Sequence, residues 1–512
     1  MTGKQKIFKS REVNVGDLTL GGDNPVLVQT MTNTPTADVK KTVSQIKRIV
    51  NAGSNIVRLA VSSMEDVRSI PEIKKKLQEE GVFVPLVADI HYSPRIAEHS
   101  ARFVEKVRIN PGNFIAEKLK KHYSEHDFAL AREQLSENIS PLLKICRQYG
   151  TALRIGVNWG SLSKRVLYRY GNTPEGMVAS AMEFMDVLQD ENFENFTLSL
   201  KASDVRVMHK ANVLLVKKMI EQDRFFPLHL GVTEAGEGVS ARVKSAAGIG
   251  VLLKLGIGDT VRVSLTEDPV NEIPVAELLV QLYGQKKGAE KAQLDKIDFK
   301  YLHFSSSIKE KTGHDKPLIF AGKPHKQVDV LVDEKKYFVK GEPVNPIDEK
   351  LIISEINDDS SFDRFLIISS TGFAFDFLTT KANALFLKNE RLTQEQLIEL
   401  SQEILQALGF RYSKPEYIAC PSCGRTRFVI FEQLQRVKEK TSHLKGVKIA
   451  VMGCPVNGPG EMADADYGYV GTGKGKVTIY KHGKPYKKNV PEENAVDVLV
   501  EVIEKDRADK SG

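Results

Sequence analysis

Several things are scarce in this chain of 512 residues. Tryptophan occurs once and cysteine four times. No stretch approaches the roughly 18 uninterrupted apolar residues that a membrane-crossing helix needs. The nearest, 248–256, is short and broken by Lys254. The N-terminus, Met-Thr-Gly-Lys-Gln-Lys-Ile-Phe, has no apolar signal core. Three of the four cysteines crowd into 420–454, which argues against a disulfide framework and for a reducing cytoplasm. An excess of one charge is also missing. Lys plus Arg is 73 and Asp plus Glu 66, a net +7 that is mild for this size. It fits an anionic small substrate or an acidic protein partner better than general nucleic-acid binding, and no membrane partner is expected. Finally, no G-x-G-x-x-G follows a strand-like run, so a doubly wound dinucleotide fold lacks its signature.

What the chain does contain, up to about residue 285, is one repeated theme. A short apolar run ends in polar residues and an amphipathic, helix-like stretch follows. The runs lie at 25–30, 55–60, 85–90, 106–110, 152–158, 196–201, 227–233 and 260–264. Near-continuous apolar strands alternating with helices imply a parallel sheet covered on both faces. Eight units in this length match a (β/α)8 barrel. Barrels carry their working groups at the C-terminal ends of the strands. Here those ends hold Gln29, Arg58, Asp89, His91, Arg108, Asn110, Arg154, Asn158, Lys201, Ser203, His229, Glu234, Arg262 and Ser264. Five are cations from different strands (Arg58, Arg108, Arg154, Lys201, Arg262), and with Asn and Ser donors they suit a phosphate or diphosphate. The carboxylates in view, Asp89 and Glu234, are too few to neutralise all five. Glu234 is a candidate proton donor or base. Its alternative is a structural partner for Lys201 or Arg262. His91 and His229 are either hydrogen-bond donors to a substrate or core histidines satisfied by backbone. Trp159, beside Asn158, is a candidate cover for the mouth.

The cysteines form a second centre. Cys420 and Cys423 make a C-x2-C turn, and Cys454 stands in a Gly/Pro-rich loop ending at Glu461, after the apolar run 447–452. A structural zinc site needs a fourth ligand, and no nearby histidine or second C-x2-C supplies it. Clustered thiolates favour iron–sulfur chemistry, with Glu461 able to give an oxygen ligand to the fourth iron of a cubane. Zinc, or a redox pair with Cys454 merely buried, are the other readings. Cys146 reads as a core thiol.

Three domains are expected: 1–287 as the barrel, 288–410 as an inserted, structural α/β region, and 411–512 as an α+β cluster domain. Within the insert, 365–369 and 384–387 read as strands, and a helix over 393–408 carries a capping box of Thr393 and Gln396. His314 and His325 read as solvated. In the last hundred residues helices are expected over 428–440 and from about 491, with strands at 446–452 and 476–480. The basic run 481–488 reads as a solvated hairpin or a dock for an acidic electron carrier.

Taken in order, the segments 28–33, 87–91, 107–113, 154–158, 201–203, 228–236, 259–264, 420–423 and 457–461 resemble the 4-hydroxy-3-methylbut-2-en-1-yl diphosphate synthase family, iron–sulfur enzymes of the non-mevalonate isoprenoid pathway. The resemblance covers residues 10–285 and 410–490. It implies one [4Fe-4S] cluster per subunit, on Cys420, Cys423, Cys454 and Glu461. It implies reductive ring opening of 2-C-methyl-D-erythritol 2,4-cyclodiphosphate, with loss of water and two electrons from ferredoxin or flavodoxin. Glu234 and Glu461 would be catalytic. Arg58, His91, Arg108, Arg154, Asn158, Lys201, His229, Arg262, Ser264 and Asn457 would bind substrate. Compact family members are similar to head-to-tail homodimers, so a homodimer is expected. The insert, shorter than that of other long members, offers a second arrangement in which one chain supplies both halves of a site. Two other functions compete. A pterin- or corrinoid-dependent barrel methyltransferase leaves the cysteine loops without work. A zinc-ribbon binding module lacks its second C-x2-C.

Overall fold

The computed structural model describes residues 7–511 apart from 91, 116, 118, 286–287, 298, 300–316, 323–327, 334–335, 340–341, 345–351, 422, 425, 427, 456–457, 463–464 and 474. Eight parallel strands surround one axis: β1 (Leu27–Met31), β2 (Ile56–Ala60), β3 (Leu86–Asp89), β4 (Lys106–Ile109), β5 (Ala152–Asn158), β6 (Phe196–Lys201), β7 (His229–Leu230) and β8 (Thr260–Val261). Each pairs with its successor, and β8 returns to β1 with Thr260 opposite Leu27. The last gap, β6 to β7, is closed by the parallel bridge from Leu198 to Leu228. All eight expected strands are present, within a residue or two at each end except that β7 and β8 stop three residues short of the expected 233 and 264.

Helices follow most strands and are begun by side-chain caps. Ser63 and Asp66 form a reciprocal capping box at the start of Met64–Glu79, as do Ser124 and Asp127 before Glu125–Tyr149. Their apolar stripes pack against the outward faces of the strands in one continuous core that also buries Cys146. The bottom of the barrel is sealed by the N-terminal hairpin. Its Val13, Val15 and Leu20 pack on Ile56, Val87 and Ala152.

The insert contains a six-stranded mixed sheet and two long helices, Phe362–Thr380 and Gln394–Ala407. The expected strand Ala384–Lys388 is there, and Thr393 and Gln396 form the expected capping box. The expected strand at 365–369 is instead part of the helix Phe362–Thr380. Its residues are apolar enough for either element, and Ser369-Ser-Thr-Gly372 reads as a strand's end, yet the helix runs through it, with the Ser369 hydroxyl donating back to the Phe365 carbonyl at 2.7 Å. This helix lies on the π-helical turn Ala246–Gly250 of the barrel, where the Thr371 hydroxyl donates to the Ala246 carbonyl at 3.0 Å. The insert thus shares the barrel's core. His314 and His325 lie outside the described residues.

The C-terminal region is a five-stranded sheet ordered Glu416–Ala419, Lys448–Met452, Tyr467–Gly473, Lys476–Lys481, Lys484–Pro491, with helices Ile430–Thr441 and Glu492–Ser511. Its first two strands are parallel, so the loops that follow them leave from one end of the sheet. Those loops carry the cysteines.

Candidate active site

Side chains alternate along a strand, so residues two apart face the same way. The inward face of this barrel is unusually polar. Arg58 on β2, Asp89 on β3, Arg108 on β4, Arg154 and Asn158 on β5, Ser199 and Lys201 on β6, and Arg262 and Ser264 after β8 all line one cavity at the C-terminal mouth. Arg108 donates to Asp89 at 3.1 Å, to the Gly156 carbonyl at 2.9 Å and to Asn158 at 3.2 Å. Gly156 is required there, because a Cβ would stand 2.4 Å from the Arg108 Nε. Arg262 forks onto Glu272, with bonds of 3.1 and 3.0 Å. Glu272, from the helix after β8, was not among the expected site residues; its distance along the chain from the strand end hid it. It also accepts from Thr30. Two of the five cations are therefore held by carboxylates.

Arg154 and Lys201 have no ion pair among the described residues. Arg154 is 1% exposed, and its Nε and Nη1 have no hydrogen-bond partner. Burial holds its pKa well below the usual arginine range, and Arg58 and Arg108 push the same way. Lys201 is lowered likewise, first by burial and then by Arg154 and Arg58. Its amine lies 3.0 Å from the Nε2 of His229, whose Nδ1 is 2.8 Å from the Thr260 hydroxyl. Burial and the neighbouring Lys201 hold His229 neutral. The imidazole thus accepts from Lys201 and donates to Thr260. Two cations without an ion pair in a desolvated pocket are suited to a polyanion.

The other wall of this cavity is sulfur. Cys420, Cys423 and Cys454 line it together with Pro421, Met452, Gly453 and Gly458. Burial raises the Cys420 thiol pKa, and Cys423, Cys454 and Glu234 raise it further as neighbouring negative groups; the Gly453 amide, donating to its sulfur at 3.4 Å, opposes them. Among the described residues no three His, Cys, Asp or Glu side chains are arranged to hold a single metal ion. The cysteine loops are clamped to the barrel of their own chain. Ala419 forms a parallel bridge with Ala235, and the Thr266 hydroxyl donates to the carbonyls of Ala419 and Cys420, both at 3.2 Å. Lys244 pairs with Glu416 at 2.8 Å, and Glu237 accepts from Gln435 at 2.5 Å. The turn Gly458–Glu461 rests on the turn Trp159–Ser161 so closely that a Cβ on Gly460 would meet the Gly160 carbonyl at 2.0 Å.

With this geometry in view, two matches account for most of the chain. Residues 10–277 match the GcpE TIM-barrel domain and 416–505 the GcpE protein C-terminal domain. The chain belongs to the GcpE family. Among its curated relatives, a Bacteroides fragilis protein named 4-hydroxy-3-methylbut-2-en-1-yl diphosphate synthase (flavodoxin) is 38% identical over 97% of this chain and 95% of its own length. Proteins of the same name from Leptospira interrogans and Akkermansia muciniphila are 36% and 38% identical, covering 97% and 96% of this chain and 96% of each relative. The first alignment runs over 600 positions, so the relative carries segments this 512-residue chain lacks. Residues 278–415, between the two family matches, take in the whole insert of 288–410. A Vibrio fischeri 7,8-dihydropteroate synthase structure is 10% identical, with a TM-score of 0.33 over 53% of this chain and 98% of its own; so slight a likeness bears on no activity.

Within the family frame, most expected site residues meet at the cavity: Arg58, Arg108, Arg154, Asn158, Lys201, Glu234, Arg262, Ser264 and the three cysteines. Glu234 is buried and adopts φ +50°, a left-handed backbone that turns the chain between barrel and sulfur walls. His229 is beneath the cavity rather than on it, as a support for Lys201. Asn110 caps the short helix Pro111–Phe114 through a bond from the Gly112 amide at 3.1 Å. Trp159 packs into the barrel core instead of over the mouth. His91 and Asn457 lie outside the described residues, as does the side chain of Glu461. Met31, Ser199 and Thr233 line the cavity unforeseen; for the first two, the period-two rule applied to β1 and β6 would have found them. The basic hairpin around Lys481 and Lys484 is at the sheet end opposite the cysteine loops, since Lys476–Lys481 runs antiparallel to Tyr467–Gly473. No described helix is long and apolar enough to cross a membrane.

Proposed function

We propose that this chain converts 2-C-methyl-D-erythritol 2,4-cyclodiphosphate to 4-hydroxy-3-methylbut-2-enyl diphosphate and water. Two electrons and two protons are consumed. The ring C–O bond at the tertiary carbon breaks, the neighbouring hydroxyl leaves as water, and a C=C bond forms between the two carbons. The observation that carries this reading is one cavity walled on one side by five cations, of which Arg154 and Lys201 have no ion pair among the described residues, and on the other by three cysteines. Relatives covering nearly the whole chain carry the name of that synthase, with flavodoxin in the name as donor.

The thiols would hold a [4Fe-4S] cluster on Cys420, Cys423 and Cys454, with Glu461 as the fourth ligand. A cubane takes each thiolate on its own iron, so it has no need of the tight convergence that zinc demands. When bound, such a cluster supplies the two electrons singly. The protein's own groups do the rest. Arg154, Arg58 and Lys201 bind the diphosphate and hold its reacting carbon toward the sulfur wall. Asp89 and Glu272 fix Arg108 and Arg262 so that their donors point inward. Glu234, between the two walls, is placed to deliver the proton that leaves with the hydroxyl. Because both walls belong to one chain, no second copy is needed to complete the site. Mixing inactive Arg154→Ala and Cys454→Ala chains should then restore no turnover.

The direct test is anaerobic reconstitution with iron and sulfide, followed by turnover with reduced flavodoxin or ferredoxin. Glu461→Ala should keep most of its iron and lose turnover. Unchanged turnover in that variant would remove Glu461 from the ligand set. Failure of wild type to consume the cyclic diphosphate would remove the activity.

A further inference from the structure

Beneath the cation layer lies a group with no role in the mechanism above. Arg108 faces the cavity, so Lys106, two residues earlier on β4, faces the barrel interior as well. Lys106 is 0% exposed, and its amine has no hydrogen-bond partner. It does not line the cavity. It rises from the level of Val87 and Ala152, its neighbours in register, which pack on the hairpin that seals the barrel's bottom. The charged groups acting on its amine are Arg154 and Arg58, and it acts in turn on His229. Lys201, Arg108, Arg262 and Asp89 stand in the layer above. Thr197 and Gln29 share the interior face, by the same alternation, and also have side-chain atoms without a partner.

Buried polar atoms are seldom left unmatched, and a buried lysine without a carboxylate is rarer still. An orphaned amine, under two guanidiniums and enclosed from below, has one direction from which compensation can arrive: the anion entering the mouth. We propose that Lys106 is the floor of the anion site and takes up one proton when the diphosphate binds. This deepens the reading given above and rests on it for the identity of the ligand. Burial, with Arg154 and Arg58, holds the empty-site amine to about 7, so near pH 8 it is mostly neutral and ready to accept. A dianion above it reverses the local field and stabilises the ammonium form. The guanidiniums then supply the standing binding charge, and Lys106 supplies the charge that follows occupancy.

The test is calorimetric titration of the full-length, anaerobically prepared protein at pH 8 in buffers of different ionisation heat. Two ligands are compared: the cyclic diphosphate, whose phosphoryl groups each carry one strongly acidic hydroxyl and so do not titrate near neutrality, and sulfate. Wild type should take up about one proton more at pH 8 than either Lys106 variant, with little difference at pH 6, and its affinity should fall by up to about tenfold per pH unit above 7. Lys106→Met should lose that proton and bind more weakly. Lys106→Arg, permanently charged, should lose the same proton yet keep its affinity across that pH range, and it serves if the methionine variant does not fold. His229 and Lys201 remain in both variants, so any uptake of their own is common to all three proteins and cancels in the difference. Uptake in either variant equal to that of wild type, or absent from wild type with a ligand that binds, would overturn the proposal. If wild type binds sulfate with uptake but ignores the cyclic diphosphate, the proposed reaction fails and the role of Lys106 stands.

Discussion

The two walls of the cavity are built by different physical means. The cation wall stands on β-strands, each side chain at a fixed height on a rigid hydrogen-bonded cylinder, with Asp89 and Glu272 anchoring two of the arginines. The sulfur wall stands on turns, placed by glycines that permit close approach and by hydrogen bonds from Thr266. Charge recognition needs directions held against strong mutual repulsion, which a barrel supplies. Cysteines need only reach a common object, and once they hold it that object fixes their geometry. The barrel should therefore keep its shape without the cluster domain's ligands, whereas the loops depend on what they carry.

The sharpest way to break this contrast is to remove one wall at a time. Cys454→Ala should abolish bound iron and sulfide and drive turnover below detection while leaving cyclic diphosphate binding intact, as checked by metal analysis and calorimetry. Arg154→Met should do the opposite. It retains the cluster's absorbance and loses about 10- to 100-fold in ligand affinity, the range expected when a charge-assisted contact is removed. If each variant damaged both readouts equally, the walls would not be independent. Glu272→Gln tests the anchoring. It leaves Arg262 buried against a neutral partner, and a loss of roughly 3–5 kcal/mol in stability is expected by chemical denaturation.

How much of this was legible beforehand follows the same division. The eight strands and their polar ends were readable because a buried parallel strand announces itself locally, by an apolar run with a polar terminus. The cysteine loops were readable because thiols are scarce in this chain. What escaped were relations between distant residues of ordinary type. Glu272 looks like any helix carboxylate until Arg262 is folded onto it. Lys106 looks like a strand-edge charge until alternation places it inside the barrel. The segment 365–369 reads equally as strand or helix, and only tertiary packing on Ala246–Gly250 selects helix. That one chain closes its own site was legible only as the second of two arrangements, because the contact between Gly160 and Gly460 has no signature except two glycines 300 residues apart.

That contact makes a finer test of how the walls meet. Gly460→Ala puts a methyl where the Gly160 carbonyl now sits, so one turn must retreat. The three cysteines keep their loops and ligand binding to the barrel is unchanged, yet the turn that carries Glu461 no longer meets the barrel in register. Turnover should fall by roughly tenfold or more with iron content preserved, since small misplacements of reacting groups are costly. A variant with normal turnover would mean that the Gly458–Glu461 turn does not set the distance between the walls.

The smallest effect concerns stability and pH. An ordinary lysine in the unfolded chain titrates near 10.4, whereas burial, with Arg154 and Arg58, lowers Lys106 in the folded, empty barrel to about 7. Between those values the unfolded chain binds a proton that the native chain does not, so stability should rise as pH increases from about 7 to 10. Below 7 both states are protonated, and the full cost of the buried charge is present. Denaturation of wild type and Lys106→Met across this window should differ in slope, with the variant flatter. A saturating dianion should flatten wild type in the same way, because it restores the ammonium form within the fold. Parallel slopes for wild type and variant would mean that the layer below the cations is filled by something other than a lysine awaiting its counter-charge.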